Sequence, residues 1–137
     1  MGLILDSSVL IAAERRGETV AQFLRQVLSL MGNQEAALFA VALVELAHGI
    51  HRANSEEVRT RRETFIHELL ADVPVYPFTQ QTALLAGRID AEQKSQGIQI
   101  PFPDLLIGAT ALHLGYAVVT GNPRHFRVIP NLAVQQL

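Results

Sequence analysis

The chain has 137 residues and a mass of 15.0 kDa, the size of one ordinary domain. Hydrophobic residues make up 49% and charged residues 18%, which excludes a disordered chain, and the absence of cysteine excludes disulfides, thiolate zinc sites and a cysteine nucleophile. The net charge is −2 and every basic residue except Lys94 is Arg, a balance unlike that of a protein coating nucleic acid but compatible with a local Arg patch.

Gly2 to Leu5 is an apolar run ending in Asp6-Ser7-Ser8, which predicts a buried strand running into a helix cap. Asp6 interrupts the run far too early for a signal or spanning segment, so no membrane association and a cytoplasmic location are expected. A helix is predicted from Val9 to Arg15, and Val20, Phe23, Leu24, Val27, Leu28 and Met31 carry the helical period of another. Ala36 to Val41 is a second strand. Leu43, Leu46, Ala47 and Ile50 form a helical stripe, followed by a charged helix from Ser55 to Leu70. Val73 to Tyr76 is a third strand, and Gln80 to Ser95 a helix stopped by Gly97. Leu105 to Leu114 is a very apolar helix, opened by Pro103-Asp104 and closed by Gly115. Ala117 to Val119 is a fourth strand and Leu132 to Gln135 a short edge strand. No linker, repeat or low-complexity stretch divides the chain, so one domain is expected over residues 1–137.

Strands alternating with helices predict an α/β fold, a three-layer sandwich around a parallel sheet of four to five strands. In such sheets the functional crevice lies beyond the carboxyl ends of the strands, at the switch in strand order. Asp6 follows the first strand directly. Glu45 is placed in the first turn of the helix after the second strand. A helix of about 11 residues from Asp104 spans roughly 17 Å, one strand length, so it returns Asp104 to the same edge. Thr120-Gly121-Asn122 follows the fourth strand. The three carboxylates and the amide thus converge from four segments.

Each acid also has an ordinary explanation: Asp6 or Asp104 as a helix cap, Glu45 as a complement to its helix dipole. Glu45, however, sits among Ala42, Leu43, Val44, Leu46 and Ala47, and an unpaired buried carboxylate costs several kcal/mol. Clustered acids without a cation repel one another, and a divalent metal resolves that conflict. Oxygen ligands point to Mg²⁺, with Mn²⁺ as a substitute. Glu45 and His48 make a Glu-x-x-His pair, but it has no second copy, and the fold differs from the di-iron bundles that use one. His51, His67 and His113 fit surface positions, while His125 is ambiguous beside Asn122. Arg15, Arg16, Arg52, Arg59, Arg61 and Arg62 either line a rim that holds phosphates or form a solvated face paired with Glu56, Glu57 and Glu63; Arg15 and Arg52 adjoin the acid pocket and are the better phosphate contacts.

The stretches LILDSSVLIAAER at 3–15, VALVELAHGI at 41–50, KSQG at 94–97 and IPFPDLLIGATALHLGYAVVTGNPRHFRVIPNL at 100–132 occur in an order that resembles the PIN-domain ribonucleases, specifically the VapC toxins of toxin–antitoxin modules. The resemblance implies a PIN-like fold in which Asp6, Glu45 and Asp104 are the metal-binding acids. Asn122 falls at a fourth acid or Asn position, and Thr120 at its neighbouring small hydroxyl. Val41-Ala42 departs from the usual Ser or Thr cap before the Glu, and Pro103 stands where a second acid is common.

An endoribonuclease using metal-activated water is therefore expected. Asp6 and Asp104 would be direct ligands and Glu45 would hold a ligand water or second ion. Asn122 would orient water or a phosphate oxygen, and Thr120 would support Asp6. The resemblance implies 5′-phosphate and 3′-hydroxyl product ends, a homodimer, and a VapB-type antitoxin. The apolar first helices (Val9, Leu10, Ile11, Phe23, Leu24, Val27, Leu28) offer a two-fold interface, and a surface near Leu10, Ile11 and Leu46 offers a seat for a partner helix that presents Arg to the acids. A phospho-receiver domain is excluded, because no acceptor Asp follows the third strand and Lys94 lies in a helix. A PIN nuclease of RNA maturation or decay and a non-catalytic PIN-fold binding module are the remaining alternatives.

Overall fold

Gly2–Leu5 forms strand β1, with every residue buried; Leu3 and Leu5 enter one hydrophobic cluster and Ile4 the other. A strand apolar on both faces must be covered on both, so β1 takes the middle of the sheet. The computed structural model describes residues 2–137. After β1 come α1 (Ser7–Arg15), α2 (Val20–Met31), β2 (Glu35–Phe39), α3 (Ala40–His51) and α4 (Glu56–Asp72). Then follow β3 (Val75–Tyr76), α5 (Gln80–Ser95), α6 (Phe102–Leu114), β4 (Ala117–Thr120), α7 (Pro123–Arg127) and β5 (Val134–Gln136). The five strands pair in parallel in the order β3-β2-β1-β4-β5. This is the expected three-layer α/β sandwich, with its order switching between β1 and β4.

The strands alternate cleanly between two cores. Leu3, Leu5, Leu38, Ala117 and Val119 pack with Leu10 of α1, Phe23 of α2 and Leu69 of α4. Ile4, Ala37, Phe39 and Val118 pack with Ile89 of α5, Ile107 of α6 and Phe126 of α7. Burying each such side chain contributes roughly 1.5–3 kcal/mol. Helix α3 touches α1, α4 and α6, so it bridges both layers beyond the end of β2. Local signals agree with the packing. Thr19 and Gln22 form a reciprocal capping box at the start of α2, and Ser55 and Thr79 cap α4 and α5 through their hydroxyls. Helix α6 ends on Gly115 at φ +71°, a left-handed turn that favours glycine and feeds β4.

Boundaries differ where packing overrides the local pattern. Helix α1 starts at Ser7 rather than Val9, because Asp6 is still in the sheet and its amide donates to the Val119 carbonyl at 2.9 Å. β2 ends at Phe39 rather than Val41, so α3 begins two residues earlier and Glu45 stands in its second turn, not its first. β3 shrinks to Val75–Tyr76 because Val73 closes α4 and Pro74 has no N–H to offer, although its carbonyl still accepts from Leu38 N at 2.9 Å. Helix α6 opens at Phe102, with Pro103 in its first turn, so Asp104 is its third residue. The short helix α7 was not expected, and β5 lies at Val134–Gln136 rather than Leu132–Gln135.

The expected apolar excess of the first helices is not an excess. Val9, Leu10, Phe23 and Val27 are buried in the chain's own core, Ile11 and Leu24 pack against it, and only Leu28 is strongly exposed. Leu30, near the end of α2, is also exposed, and further large exposed apolar side chains include Val44 on α3, Leu84 on α5 and Phe102 on α6. Helix α6 packs against both α3 and α5, so these three residues lie on neighbouring elements. No helix among the described residues is long and apolar enough to cross a membrane.

Candidate active site

Asp6 leaves β1 buried, 4% exposed, beside β4 at the switch in strand order. Its Oδ2 accepts hydrogen bonds from Ser8 Oγ at 2.7 Å and Thr120 Oγ1 at 2.8 Å. Each hydroxyl is itself held: Gly121 N donates to Ser8 Oγ at 3.0 Å, and Asn122 N donates to Thr120 Oγ1 at 2.9 Å. Both hydroxyl protons are committed to the carboxylate, so the 3.3 Å approach of Ser8 Oγ to Thr120 Oγ1 is a contact without a shared proton. Asp6 occupies the N-cap position of α1, yet its side chain makes no cap bond. The ordinary explanation for this acid therefore fails. Its Oδ1 receives neither hydroxyl.

Glu45 is half-buried in α3, and its Oε1 is a buried oxygen without a hydrogen-bond partner. Burial pushes its carboxyl above the usual range; the Ser7 hydroxyl opposes that shift, and the charges of Asp6 and Asp104 add to it. Asp104, in the first turn of α6, is also raised, chiefly by burial and further by Asp6, while His125 draws it back. Asp6 raises both of the other acids, so the three predicted carboxylates lie close enough to feel one another's charge.

His125 is the residue that sequence reasoning left unresolved. Its Nδ1 lies 2.8 Å from Asp104 Oδ2, because α7 lays the ring against the start of α6. The spacing Asn122-x-x-His125 was the available signal, but only the existence of α7 gives it meaning. Asn122 opens α7, exposed, with its side chain free of any cap bond and its backbone tied to Thr120. His48, His51, His67 and His113 are exposed, in keeping with surface positions.

The donor set suits a hard divalent cation: three carboxylates, one with an orphaned buried oxygen, to which no Lys or Arg ion pair is made among the described residues. Among those residues no three His, Cys, Asp or Glu side chains are placed to hold one ion between them. The arrangement fits an ion that is held by one or two carboxylates and keeps part of its water, as Mg²⁺ does.

The arginines divide into two groups. Arg61 Nε donates to buried Glu14 at 2.8 Å, and Arg62 donates to the Gly49 carbonyl at the end of α3, so both tie α4 to its neighbours rather than pairing along their own helix. Of the expected helical pairs, Arg59 and Glu56 meet at 4.0 Å. Arg16 pairs with Glu18. Arg15 and Arg52 are exposed. Arg15 lines a groove with Ile11, Leu46, Phe65 and Ile66, and Glu45 stands in its wall. Leu10, expected on this surface, belongs to the core instead.

The family model for the PIN domain matches residues 3–132. Over 134 residues, the chain is 34% identical to ribonuclease VapC1 of Rickettsia felis, covering 98% of this chain and 95% of that protein. It is 32% identical to ribonuclease VapC of Rickettsia bellii over the same shares. The crystal structure of VapBC2 from Rickettsia felis, bound to a DNA fragment from its promoter, superposes with a TM-score of 0.86. The match covers 100% of this chain and 99% of that one at 21% identity.

Proposed function

Because this chain belongs to the PIN-domain family, among the VapC ribonucleases, we propose that it is a divalent-metal-dependent endoribonuclease and the toxin of a toxin–antitoxin pair. One observation carries the reading: the charges of Asp6 and Asp104 act on Glu45, and a buried Glu45 oxygen has no partner. Mg²⁺, or Mn²⁺ in its place, suits the all-carboxylate set. Such an ion, when bound, supplies an activated water and neutralises charge on the attacked phosphate. Asp6 and Asp104 would hold it directly, and Glu45 would hold one of its waters. Thr120 and Ser8 fix the Asp6 carboxylate, and the exposed Asn122 amide orients a water or a phosphate oxygen. Arg15 and Arg52 contact flanking phosphates. Attack by water rather than by the ribose hydroxyl, with the 3′ oxygen departing as the resemblance to these nucleases implies, leaves 5′-phosphate and 3′-hydroxyl ends.

The same pocket fits a VapB-type partner. Ile11, Leu46, Phe65 and Ile66 give the groove an apolar floor that ends at Glu45. An amphipathic segment laid there delivers an Arg to the carboxylates, displacing the ion and excluding RNA together. The exposed Val44, Leu84 and Phe102 on α3, α5 and α6 suit a second copy of the chain, as do Leu28 and Leu30 on α2, so a homodimer is expected.

The test is incubation with tRNA and rRNA, with Mg²⁺ or with chelator. Cleavage should require the ion and should be lost in Asp6→Asn and Asp104→Asn, which keep side-chain size and the folded far-UV spectrum. Wild-type cleavage by either variant would remove the site assignment. Producing the chain alone should arrest growth, and co-producing the small protein encoded beside it should restore it. A harmless chain that still cleaves RNA would overturn the toxin reading and leave the nuclease reading standing.

A further inference from the structure

We propose that His125 is a positioning residue for Asp104, and that residues 120–125 orient both direct-ligand carboxylates by the same device. This rests on the metal-dependent reading above. Asp104 Oδ2 and His125 Nδ1 are 2.8 Å apart. An ionised carboxylate can only accept, so Nδ1 carries the proton and the imidazole donates. At the other end of the segment, Thr120 donates to Asp6 Oδ2 at the same distance, 2.8 Å. Each carboxylate thus has its Oδ2 held by this one stretch of chain, while Oδ1 receives no bond from it. A carboxylate fixed through one oxygen presents the other in a defined direction, which is what a small ion with strict geometry requires.

The ring is itself held in place. His125 N donates to the Asn122 carbonyl at 3.3 Å, and Asn122 N is tied to Thr120. Phe126, the next residue, is fully buried in the second core, and Ile129 is 2% exposed. Gln93 Nε2 of α5 donates to the Val128 carbonyl at 2.7 Å and closes the far end of α7. Gly108 of α6 makes room for Ile129 in the segment that follows α7, since a methyl there would run into Ile129 Cδ1. The five-residue helix therefore serves as a mount for one imidazole.

The experiment measures Mn²⁺ affinity by electron paramagnetic resonance on the RNA-free protein, with circular dichroism to check the fold. Loss of a hydrogen bond that orients a ligand lowers metal affinity by about 10–100-fold. His125→Ala should raise the Mn²⁺ dissociation constant by at least about tenfold. His125→Asn, whose amide can donate from nearly the Nδ1 position, should restore affinity to within about threefold, whereas His125→Gln, with its amide one bond further out, should not. Wild-type affinity in His125→Ala would overturn the role. So would an Asn variant as weak as Ala, which would make the ring a ligand through its other nitrogen. If the Ala variant does not fold, the contrast between Asn and Gln decides alone. A wild-type protein that binds no Mn²⁺ would overturn the metal reading, and this role with it.

Discussion

Thr120 donates to Asp6 Oδ2 at 2.8 Å across 114 positions of sequence, and it does so while accepting the Asn122 amide at 2.9 Å. The hydroxyl is saturated in one orientation, so it is a fixed donor rather than a rotor. With Ser8 it keeps a nearly buried carboxylate in place without a cation.

Thr120→Val preserves shape and removes that donor. Asp6 keeps Ser8, so the cost should be about 1–2 kcal/mol in denaturant unfolding, with Thr120→Ser close to wild type. RNA cleavage should fall further than stability does, because the freed carboxylate loses its orientation. Equal stability and activity in the Val variant would return Thr120 to a packing role.

The acid pocket should make the metal-free protein pH-sensitive. Burial raises Glu45 and Asp104 above the ordinary carboxylate range, so the folded state binds more protons than the unfolded state above that range. Stability from these groups is therefore lost as pH rises from about 4.5 toward neutrality. Glu45→Gln removes one contributor. Its melting temperature without divalent ions should exceed that of wild type near neutral pH by a few degrees, and the gap should shrink on acidification. Added Mg²⁺ should stabilise wild type more than the variant. A gap independent of pH would sink the account.

Arg15→Ala and Arg52→Ala should weaken RNA binding while leaving the fold alone, since both side chains are exposed. If each contacts one phosphate, the slope of log affinity against log salt should fall by about one unit per substitution. An unchanged slope would assign them to the solvated face.

Gly108→Ala gains helix propensity of about 1 kcal/mol but crowds buried Ile129, where overpacking costs about 1–3 kcal/mol. The expected net effect is a loss of stability. Ile129→Val removes the Cδ1 that the new methyl meets. The double variant should therefore be more stable than the sum of the single changes allows, and strict additivity would place the strain elsewhere.

The strands, the longer helices and the parallel order were legible because alternation and helical period act over a few residues. Asp6, Glu45 and Asp104 were legible as acids returned to one edge, a consequence of element lengths. What stayed hidden depends on distant partners. Glu14 reads as one more charge on α1, and only folding sets it against Arg61, 47 positions away. Helix α7 is five residues long and opens on a proline, too short to show a period, so His125 had no visible address. That most of the apolar stripe on α1 and α2 is taken up by the chain's own core was not legible, because such a stripe looks the same whether its own core or a partner covers it; α4 covers much of it here.

The position of β1 in the middle of the sheet has a consequence for synthesis. Asp6 is made 114 residues before Thr120, whose hydroxyl on β4 holds its carboxylate. At about 5–20 residues per second, roughly 6–23 s separate the two. Completing the site therefore waits on β4, and the 114 positions between Asp6 and Thr120 act as a delay between making the first acid and fixing it.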